Sequence, residues 1–534
     1  MLKQILLKNF KSYRDQALPL APLTLMIGAN ASGKSNAIEA FRFLSWLSGG
    51  ERLPVIQQRI DDSNEILRGR TAHLGYFGAL QFSVGCVLSE SDLVADRAEF
   101  DLQWKSAKSE PERDMLGWYI PPSCSWNQFD VTLSVRGDNL HLVQEKITSS
   151  SQNKPLYTIV KPAAMKFSDV EVEYNNFNEG IEDIPRIICT NQIALMCQLD
   201  THVAFYKSHE EAQSEIPNAV RYFRSFLINT LFLDPIPSLM RGDSYPDKSL
   251  RSNCSTLAGV IYSLWQIDAN KKAILSFIRS VPEIDVSDLL FFPDRRGLIS
   301  FELIERTLDG SSFKMDLDEM NNNLKSNYNE SLGLIFDKFE SISSKDFRGL
   351  PEAIDSSVNT YWSPVFSGVK TDGTVDMVNR GCPAELLSDG TLRVLAIAAA
   401  VLSAPKGSTV VLEEVDNGVH PSRAHHLLTT MQNEAKRRNI RLLLTTHNPA
   451  LMDALPDEAL GDVVFCYRDP QEGDSRLVRL SDLDDYAGLI TQGPLGELVT
   501  NGIVDRFVKS PVTPEAKKQN ALDWLARLQG DEAA

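Results

Sequence analysis

The stretch that decides the fold is LTLMIGANASGKSNAIEAFRFL, residues 23–44. It opens with a short apolar run that is typical of a buried strand and leads into a glycine. From residue 34 to residue 47, apolar side chains recur at three- and four-residue intervals, which predicts a helix. Between the two stands Gly28-x-x-x-x-Gly33-Lys34-Ser35. A strand, a glycine-rich loop and a helix in this order predict a phosphate-binding loop.

The chemistry of such a loop follows from its residue types. Glycines let backbone N–H groups turn inward around the β- and γ-phosphates, and the following helix adds its positive N-terminal end. Lys34 can reach the phosphate oxygens, and the Ser35 hydroxyl can ligate Mg²⁺. We therefore expect a nucleoside triphosphate and Mg²⁺ as ligands. The residues expected to bind the nucleotide are Gly28, Asn30, Ser32, Gly33, Lys34, Ser35 and Asn36.

A second motif is TVVLEEVDNGVHP, residues 409–421, in which an apolar strand ends in two carboxylates. In nucleotide-binding sheets this position holds Mg²⁺ and polarises a water molecule. In the functional interpretation Glu413 contacts the metal ion and Glu414 is the general base. In the structural interpretation both are solvated residues at the end of a strand.

Two further motifs are weaker when each is taken alone. In LLSDGTLRVLAIAAAVL (386–402), Ser388 is typical of a helix N-cap and Gly390 permits close approach of another group. In IRLLLTTHNPALMD (440–453), a buried-type strand delivers His447 to its carboxyl end, where ligands bind in α/β sheets. A capped helix and a structural histidine are the ordinary alternatives.

The rest of the chain predicts a mixed architecture. Alternating segments between residues 76 and 175, among them FGALQFSVGCVL, AEFDLQW, FDVTLSV and NLHLVQEKI, predict antiparallel strands. Residues 205–285 have helical spacing, and the alternation of helix and strand after residue 387 predicts a parallel sheet. The expected divisions are 1–75 and 76–180 for the N-terminal and antiparallel β parts of the head, 181–310 for a helical insertion, 311–385 for a polar insertion, 386–507 for the C-terminal part of the head, and 508–534 for a tail helix.

Composition narrows the classes of function. The net charge of −17 disfavours a protein that mainly wraps duplex DNA, although a local basic groove can coexist with acidic flanks. The seven cysteines occur singly, without a CxxC pair, which favours a reducing cytoplasm. We find neither a signal-peptide pattern nor an apolar stretch of the length that a membrane helix needs.

Together, and in this order, the four motifs resemble those of the ABC-type ATPase heads of the SMC/RecF/OLD group. LLKNFKSYRDQALPLAPLTLMIGANASGKSNAIEAFRFL resembles its N-terminal segment, LLSDGTLR its signature motif, LEEVDNGVHP its Walker B and D-loop, and TTHNPALMD its switch histidine segment. The chain looks most like compact bacterial AAA-type ATPase subunits of anti-phage defence systems, such as the Septu ATPase, and like the ATPase half of OLD nucleases. The resemblance implies an α/β fold: an ABC-type P-loop ATPase head with an antiparallel β subdomain and an inserted helical subdomain.

The resemblance also implies a mechanism in which two heads enclose two ATP molecules, as a homodimer or a higher even oligomer. Ser388 and Gly390 would contact the γ-phosphate bound to Lys34 of a second copy. Asp416 and Asn417 would lie across that interface, and His447 would sense the γ-phosphate. Lys34, Glu414 and His447 would be catalytic, with Ser35 and Glu413 on Mg²⁺.

Two functions remain open from the sequence. In the first, the chain is the ATP-gated sensor and scaffold of a defence complex with a separate effector, a nuclease or a toxin. In the second, it is a RecF-like repair ATPase that clamps DNA. Three observations argue against other kinds of ABC-type ATPase. The chain lacks the long heptad arrays of a long-armed SMC protein, and Ser388 is farther from Lys34 than in a transporter. The stretch after His447 is too short for an OLD nuclease domain.

Three details depart from the group's pattern or stay undecided. Ala31 stands where relatives often have glycine, and we expect its φ to be negative. The Q-loop glutamine could be Gln57, Gln58 or Gln81. The tail (514–530) and the polar insertion (311–380) are the expected partner sites, although the tail helix could equally pack on its own chain.

Overall fold

The computed structural model describes residues 1–63, 67–106, 126–136, 139–162, 169–177, 184–279, 286–306, 313–315, 375–377, 379–416 and 419–509. The chain divides into two compact units. The first comprises Met1–Leu233, Ala404–Asp416 and Met431–Ala534, and the second comprises Asp234–Ser403 and Asn417–Thr430. The tail helix (514–530), Asn417 and most of the polar insertion lie outside the described residues.

The strands are numbered in chain order. They are β1 (Leu2–Phe10), β2 (Tyr13–Pro19), β3 (Leu23–Ile27), β4 (Gln81–Leu88), β5 (Trp126–Arg136), β6 (Asn139–Ser149), β7 (Tyr157–Lys161), β8 (Asp169–Tyr174), β9 (Arg186–Thr190), β10 (Leu231–Leu233), β11 (Val286–Pro293), β12 (Ile299–Arg306), β13 (Phe313–Met315), β14 (Val375–Met377), β15 (Asn379–Pro383), β16 (Thr409–Leu412), β17 (Arg441–Thr445), β18 (Val464–Arg468) and β19 (Ser475–Arg479).

The α-helices are numbered in the same way. They are α1 (Lys34–Ser48), α2 (Leu53–Ser63), α3 (Glu90–Ser106), α4 (Glu210–Ile228), α5 (Pro237–Met240), α6 (Leu257–Trp265), α7 (Asp268–Ile278), α8 (Asp389–Ser403), α9 (Pro421–Arg438), α10 (Pro449–Asp453), α11 (Asp457–Leu460), α12 (Tyr486–Ile490), α13 (Leu495–Thr500) and α14 (Ile503–Lys509). Within the described ranges, no helix combines the length and the apolar character that crossing a membrane requires.

A six-stranded sheet in the first unit positions the site. Its order is β10-β16-β17-β3-β18-β19, and every neighbouring pair is parallel except β18 and β19. The strands β3, β16 and β17 are buried along their whole lengths, as expected for mostly apolar sequences with one or two polar residues each. Because neighbouring parallel strands end at the same edge of a sheet, the residues that follow these three strands meet there. This arrangement confirms the α/β fold class.

The first unit also contains an eight-stranded antiparallel sheet with the order β2-β1-β4-β5-β6-β7-β8-β9. Helix α1 contributes to the core beside it, where Phe43 packs near Phe10 and Phe82 with ring centroids 5.8–6.5 Å away. These three rings are fully buried. The phosphate-binding helix is therefore fixed by the main hydrophobic core of its unit.

A carboxyl group is also buried in this sheet. Glu145 on β6 accepts hydrogen bonds from the backbone N–H groups of Leu195 and Met196, both at 2.7 Å, and from the Tyr157 hydroxyl at 2.9 Å. Burial outweighs these hydrogen bonds and raises the pKa of Glu145 to about 7. The group therefore couples the stability of the sheet to pH.

The second unit is smaller and contains the helices α5–α8 together with a three-stranded antiparallel sheet, β11-β12-β15. Helix α8, whose sequence begins at the predicted signature motif, is apolar over most of its length and almost entirely buried. Its N-terminal turn is exposed at Ser388 and Asp389. This unit therefore holds the signature turn on a rigid helix.

Three expectations about secondary structure are wrong. AEFDLQW (98–104) is not a strand but part of α3, because Leu93 and Phe100 are buried two helical turns apart and Arg97 pairs with Asp101 one turn later. LFL (231–233) does not continue α4; it forms β10, which pairs with β16. The region expected to be a helical insertion also contains β9 and the β11–β12 hairpin, whose turn uses Gly297 at φ +83°.

Candidate functional site

The loop after β3 requires glycine at two positions. Gly28 has a φ of +142°, and a Cβ there would lie 2.1 Å from the Cys466 carbonyl oxygen. Gly33 has a φ of +122°, and a Cβ there would lie 2.4 Å from the Ser475 Oγ. Both the dihedral angle and the space therefore exclude a side chain, which accounts for the glycine spacing of the motif.

Buried hydroxyl groups donate hydrogen bonds to the backbone of the loop. The Tyr13 hydroxyl donates to the Gly33 carbonyl oxygen at 3.0 Å. The Ser475 hydroxyl donates to the Ser32 carbonyl oxygen at 2.6 Å and contacts the Ser12 Oγ at 2.8 Å. Burial raises the pKa of Tyr13 well above its usual value, so this phenol keeps the proton that it donates. Ser12 and Tyr13, the last two residues of the NFKSY segment, thus help to fix the conformation of the loop.

The expectation of a negative φ at Ala31 is wrong. Ala31 has a φ of +62°, in the left-handed region, and its side chain is exposed. Its carbonyl oxygen accepts a hydrogen bond from the Arg468 Nε at 3.2 Å. A residue other than glycine in this region is strained by about 1–2 kcal/mol. Exposure removes any clash of the methyl group with neighbouring atoms, so the strain is confined to the backbone.

The loop and the ends of β16 and β17 enclose a cavity of about 440 Å³. Lys34 lies in its wall and donates to the Gly28 and Ala29 carbonyl oxygens at 2.6 and 3.1 Å. Burial lowers the pKa of this ammonium group. The lining residues are Asn30, Ala31, Ser32, Gly33, Lys34, Ser35, Asn36, Arg68, Glu413, Glu414, Thr445, Thr446, His447 and Arg468. The structure thus brings together the loop, both carboxylates and the histidine that the sequence singled out.

Glu413 faces the metal-ligand side of the loop. The Ser35 hydroxyl donates to the Glu413 Oε2 at 3.3 Å, and the guanidinium groups of Arg42 and Arg68 approach the same carboxylate at 3.8 and 3.7 Å. Burial raises the pKa of Glu413, against the lowering effect of both arginines and of the Ser35 hydroxyl. The net result is a carboxyl that takes up a proton more readily than an exposed glutamate does.

The donor set fits Mg²⁺. Adjacent oxygen ligands in an octahedral shell with bonds of about 2.1 Å lie about 3.0 Å apart, close to the observed separation of the Ser35 and Glu413 oxygens. Within the described ranges, no three His, Cys, Asp or Glu side chains are grouped as metal ligands. A Mg²⁺ ion bound by Ser35 and Glu413 would take its remaining ligands from phosphate oxygens and water. The Glu413 side chain is compatible with this geometry.

Arg68 is a cavity residue that the sequence did not reveal. Its backbone N–H and its Nε both donate to the Glu39 Oε1 at 3.1 Å. Lys11 pairs with the other oxygen of Glu39, and its Nζ donates to the Arg68 carbonyl oxygen at 2.7 Å. Glu39 is buried and Lys11 nearly so. This arrangement holds Arg68 at the cavity, although it lies far from the loop in sequence.

The side chains of Thr445 and Thr446 connect the end of β17 to the segment after β16 by hydrogen bonds. Glu414 has a φ of +52°, and its N–H donates to the Thr445 Oγ1 at 2.9 Å. The residue is exposed and lines the cavity. The Thr446 hydroxyl donates to the Asp416 Oδ1 at 2.6 Å. The ends of β16 and β17 are thereby held together, with exposed His447 next in the chain.

The predicted signature residues belong to the second unit. The Ser388 Oγ accepts a hydrogen bond from the Thr391 N–H at 3.1 Å, so Ser388 is the N-cap of α8 as the sequence predicts. Gly390 follows in the first turn of the same helix. The Q-loop glutamine stays undecided. Among the described residues of the first unit, those that line the cavity include none of the three candidates, Gln57, Gln58 and Gln81. The Gln57 side chain accepts a hydrogen bond from the Leu140 N–H at 3.3 Å.

Two family models match parts of the chain. Residues 1–75 match a model described as "AAA ATPase domain". Residues 267–453 match a model described as "AAA domain, putative AbiEii toxin, Type IV TA system". The first range contains the phosphate-binding loop, and the second contains Ser388, both carboxylates and His447.

Short matches to curated proteins fall on RecF. The DNA replication and repair protein RecF of Lactococcus lactis subsp. cremoris (strain MG1363) is 51% identical over 45 residues, which are 8% of this chain and 12% of that protein. RecF of Cyanothece sp. (strain PCC 7425 / ATCC 29141) is 47% identical over 47 residues, 9% of this chain and 12% of that protein. The chain thus spans about an eighth of the length of these relatives.

Solved structures of SMC heads align over most of the chain at low similarity. An SMC head bound to the C-winged helix domain of ScpA is 11% identical, with 89% of this chain and 96% of that chain covered and a TM-score of 0.38. The SMC head domain from Thermotoga maritima is 12% identical, with 90% and 98% covered and a TM-score of 0.32. The two family models relate residues 1–75 and 267–453 to AAA-type ATPase domains, and the short curated matches relate a segment of the chain to RecF.

Proposed function

We propose that this chain binds and hydrolyses ATP, dimerises around the bound nucleotide, and acts as the sensor and scaffold of an anti-phage defence complex whose effector, a nuclease or a toxin, is a separate protein. The observation that carries the ATPase part is the cavity at the ends of β3, β16 and β17. It combines a phosphate-binding loop with a carboxylate pair and a histidine. ATP and Mg²⁺ are the proposed ligands of this cavity.

The residues have distinct roles in this proposal. Lys34 and the loop N–H groups bind the β- and γ-phosphates, and Ser35 with Glu413 holds Mg²⁺, which neutralises phosphate charge. Glu414 takes the proton of the attacking water. The bond from this water oxygen to the γ-phosphorus forms as the bond to the β–γ bridging oxygen breaks, and ADP and phosphate leave. His447 orients the γ-phosphate.

The proposal of dimerisation is supported by the division of the motifs between the two units. All cavity residues belong to the first unit, whereas Ser388 and Gly390 belong to the second. We propose that Ser388 and Gly390 meet the nucleotide of a second copy and complete its site, and that Asp416 and Asn417 lie across the same interface. Closure would exclude water and add positioning groups, and trans-acting groups in phosphoryl transfer contribute on the order of 10³–10⁵ in rate.

Two variants test the assignment of the site. Lys34→Ala should abolish nucleotide binding, measured with a fluorescent ATP analogue. Glu414→Gln should keep binding and lose turnover, because glutamine accepts no proton from the attacking water. Wild-type turnover in Glu414→Gln would refute the assignment of the general base. Nucleotide binding that survives Lys34→Ala would refute the assignment of the loop.

The defence role has weaker support and a separate test. The description of the matched family over residues 267–453 names a toxin and a toxin–antitoxin system, and the acidic net charge of −17 disfavours a DNA clamp. Purification together with proteins encoded by its genomic neighbours, with and without ATP, should recover a stoichiometric effector. Recovery of the chain without any partner under both conditions would contradict this role.

RecF-like DNA repair is the second candidate, because the RecF matches reach 47–51% identity over their short length. In this case the dimer would clamp DNA in an ATP-dependent manner. Phosphate contacts make such binding fall steeply with added salt. Titration of duplex DNA at increasing salt concentration distinguishes the candidates: steeply salt-dependent binding that requires ATP favours the repair function, and a lack of binding at low salt excludes it.

A further inference from the structure

Arg241 is joined to the signature turn in the second unit. Its Nη2 donates to the Asp389 Oδ1 at 2.6 Å and to the Leu387 carbonyl oxygen at 3.0 Å. Arg241 directly follows α5, whose last residue, Met240, is fully buried. The guanidinium group therefore bridges the residues on either side of Ser388 from a fixed position.

The signature turn carries a negative charge beside its proposed phosphate contact. Asp389 is 64% exposed and lies between Ser388 and Gly390, the two residues proposed to meet the γ-phosphate of a second copy. A carboxylate at a helix N-terminus stabilises the helix, but the same charge repels an approaching triphosphate. Unless it is compensated, Asp389 opposes the contact that the signature turn is proposed to make.

We propose that Arg241 is a positioning residue for the trans-acting signature turn, which neutralises Asp389 and fixes the Leu387 carbonyl group. This inference rests on the proposed function, because the contact that it enables is the one between the signature turn of one copy and the ATP of another. Arg241 acts on the turn and does not contact the reacting atoms. Two hydrogen bonds from one nitrogen, to a backbone and to a side chain, favour a defined geometry of the turn over simple surface charge pairing.

The first test measures hydrolysis in Arg241→Ala. Losing a hydrogen bond to a charged group corresponds to about a ten- to hundredfold change, so we expect kcat to fall by about this factor. Binding of a fluorescent ATP analogue to the loop should stay at the wild-type level. Lys271→Ala is the matched control, because Lys271 pairs with Asp288 at 3.1 Å in the same unit and its side chain is 36% exposed, close to the 29% of Arg241. Wild-type kcat in Arg241→Ala overturns the proposal.

The second test asks whether the cause is the charge of Asp389. Asp389→Asn removes the carboxylate, so Arg241→Ala/Asp389→Asn should turn over faster than Arg241→Ala alone. Arg241→Lys should be intermediate, because one ammonium can pair with Asp389 without holding the Leu387 carbonyl group in the same geometry. A double variant no faster than Arg241→Ala overturns neutralisation. Thermal unfolding of each variant separates these effects from loss of folding.

The third test asks whether Arg241 acts in trans. Lys34→Ala cannot bind ATP but keeps its signature turn, and Arg241→Ala keeps its loop. When the two variants are combined in equal amounts, half of the dimers contain one copy of each variant. Each of these heterodimers has one complete site out of two, so activity should return to about a quarter of the wild-type value. Lys34→Ala mixed with Ser388→Arg is the control. Recovery in the control alone overturns the role of Arg241, whereas failure of the control overturns the proposed function.

Discussion

Tyr13→Phe tests whether the buried hydroxyl beneath the loop shapes the nucleotide site. The change removes one oxygen atom from a fully buried side chain and leaves the ring in place. The oxygen donates to the Gly33 carbonyl oxygen at 3.0 Å and lies 3.4 Å from the Cys466 Sγ. We expect weaker ATP binding, because the loop loses a contact that holds its backbone in the binding conformation.

The magnitude follows from the partners of the Gly33 carbonyl oxygen. This oxygen also accepts from the Ala37 N–H at 3.1 Å, so the variant leaves no carbonyl group without a partner. The cost is then that of one net hydrogen bond, about 1 kcal/mol. If the loop loses this free energy only in its binding conformation, the Kd for ATP rises about fivefold.

The assay is equilibrium titration of a fluorescent ATP analogue, together with thermal unfolding. Tyr222→Phe is the matched control, because its buried hydroxyl donates to the Asp96 Oδ2 at 2.7 Å in the same unit and outside the cavity. The control should lower the unfolding temperature and leave the Kd unchanged. A Tyr13→Phe variant with wild-type affinity, or equal Kd values for both variants, would refute the role of Tyr13.

Three further predictions concern charge and backbone strain. Arg68→Ala removes a cation that lowers the pKa of Glu413, and the pKa of Glu413 should therefore rise further. The loss of Mg²⁺-dependent turnover on acidification should then begin at a higher pH, which a pH–rate profile would show. Ala31→Gly should raise the unfolding temperature, because relief of about 1–2 kcal/mol of strain exceeds the entropy cost of glycine, about 0.4–1 kcal/mol; a lowered temperature would contradict the strain. The Glu145 carboxyl, with its pKa raised to about 7, stabilises the fold fully below its unfolded pKa of about 4.5 and progressively less as the pH rises through 7, so Glu145→Gln should remove this part of the pH dependence of unfolding.

The loop and the carboxylate pair could be predicted because their signals are local. A strand, a glycine spacing and a helix determine the geometry of the loop within 25 consecutive residues, 23–47. The two carboxylates and His447 follow buried strands, and the rule that parallel strands end at one edge brings them together. What remained open was the order of strands, which places β17 between β16 and β3.

Arg68 could not be predicted, because tertiary contacts bring it to the cavity. Its segment has no apolar periodicity and is held by the side chain of Lys11 and by buried Glu39. Ala31 likewise has a contact that is distant in sequence, because its carbonyl oxygen accepts a hydrogen bond from Arg468. The strand predicted at 98–104 failed for a related reason, because a short alternating window cannot reveal that Leu93 and Phe100 share one helical face.

The central claim is that two copies of the chain close around ATP. The most direct test is the molar mass in solution of Glu414→Gln, measured by light scattering with and without saturating ATP and Mg²⁺. We predict the mass of one chain without nucleotide and twice that mass with ATP, and no doubling when Lys34→Ala is added to the same chain. A mass that stays at one chain in saturating ATP, with nucleotide binding verified in the same sample, would contradict the closure of two copies around ATP.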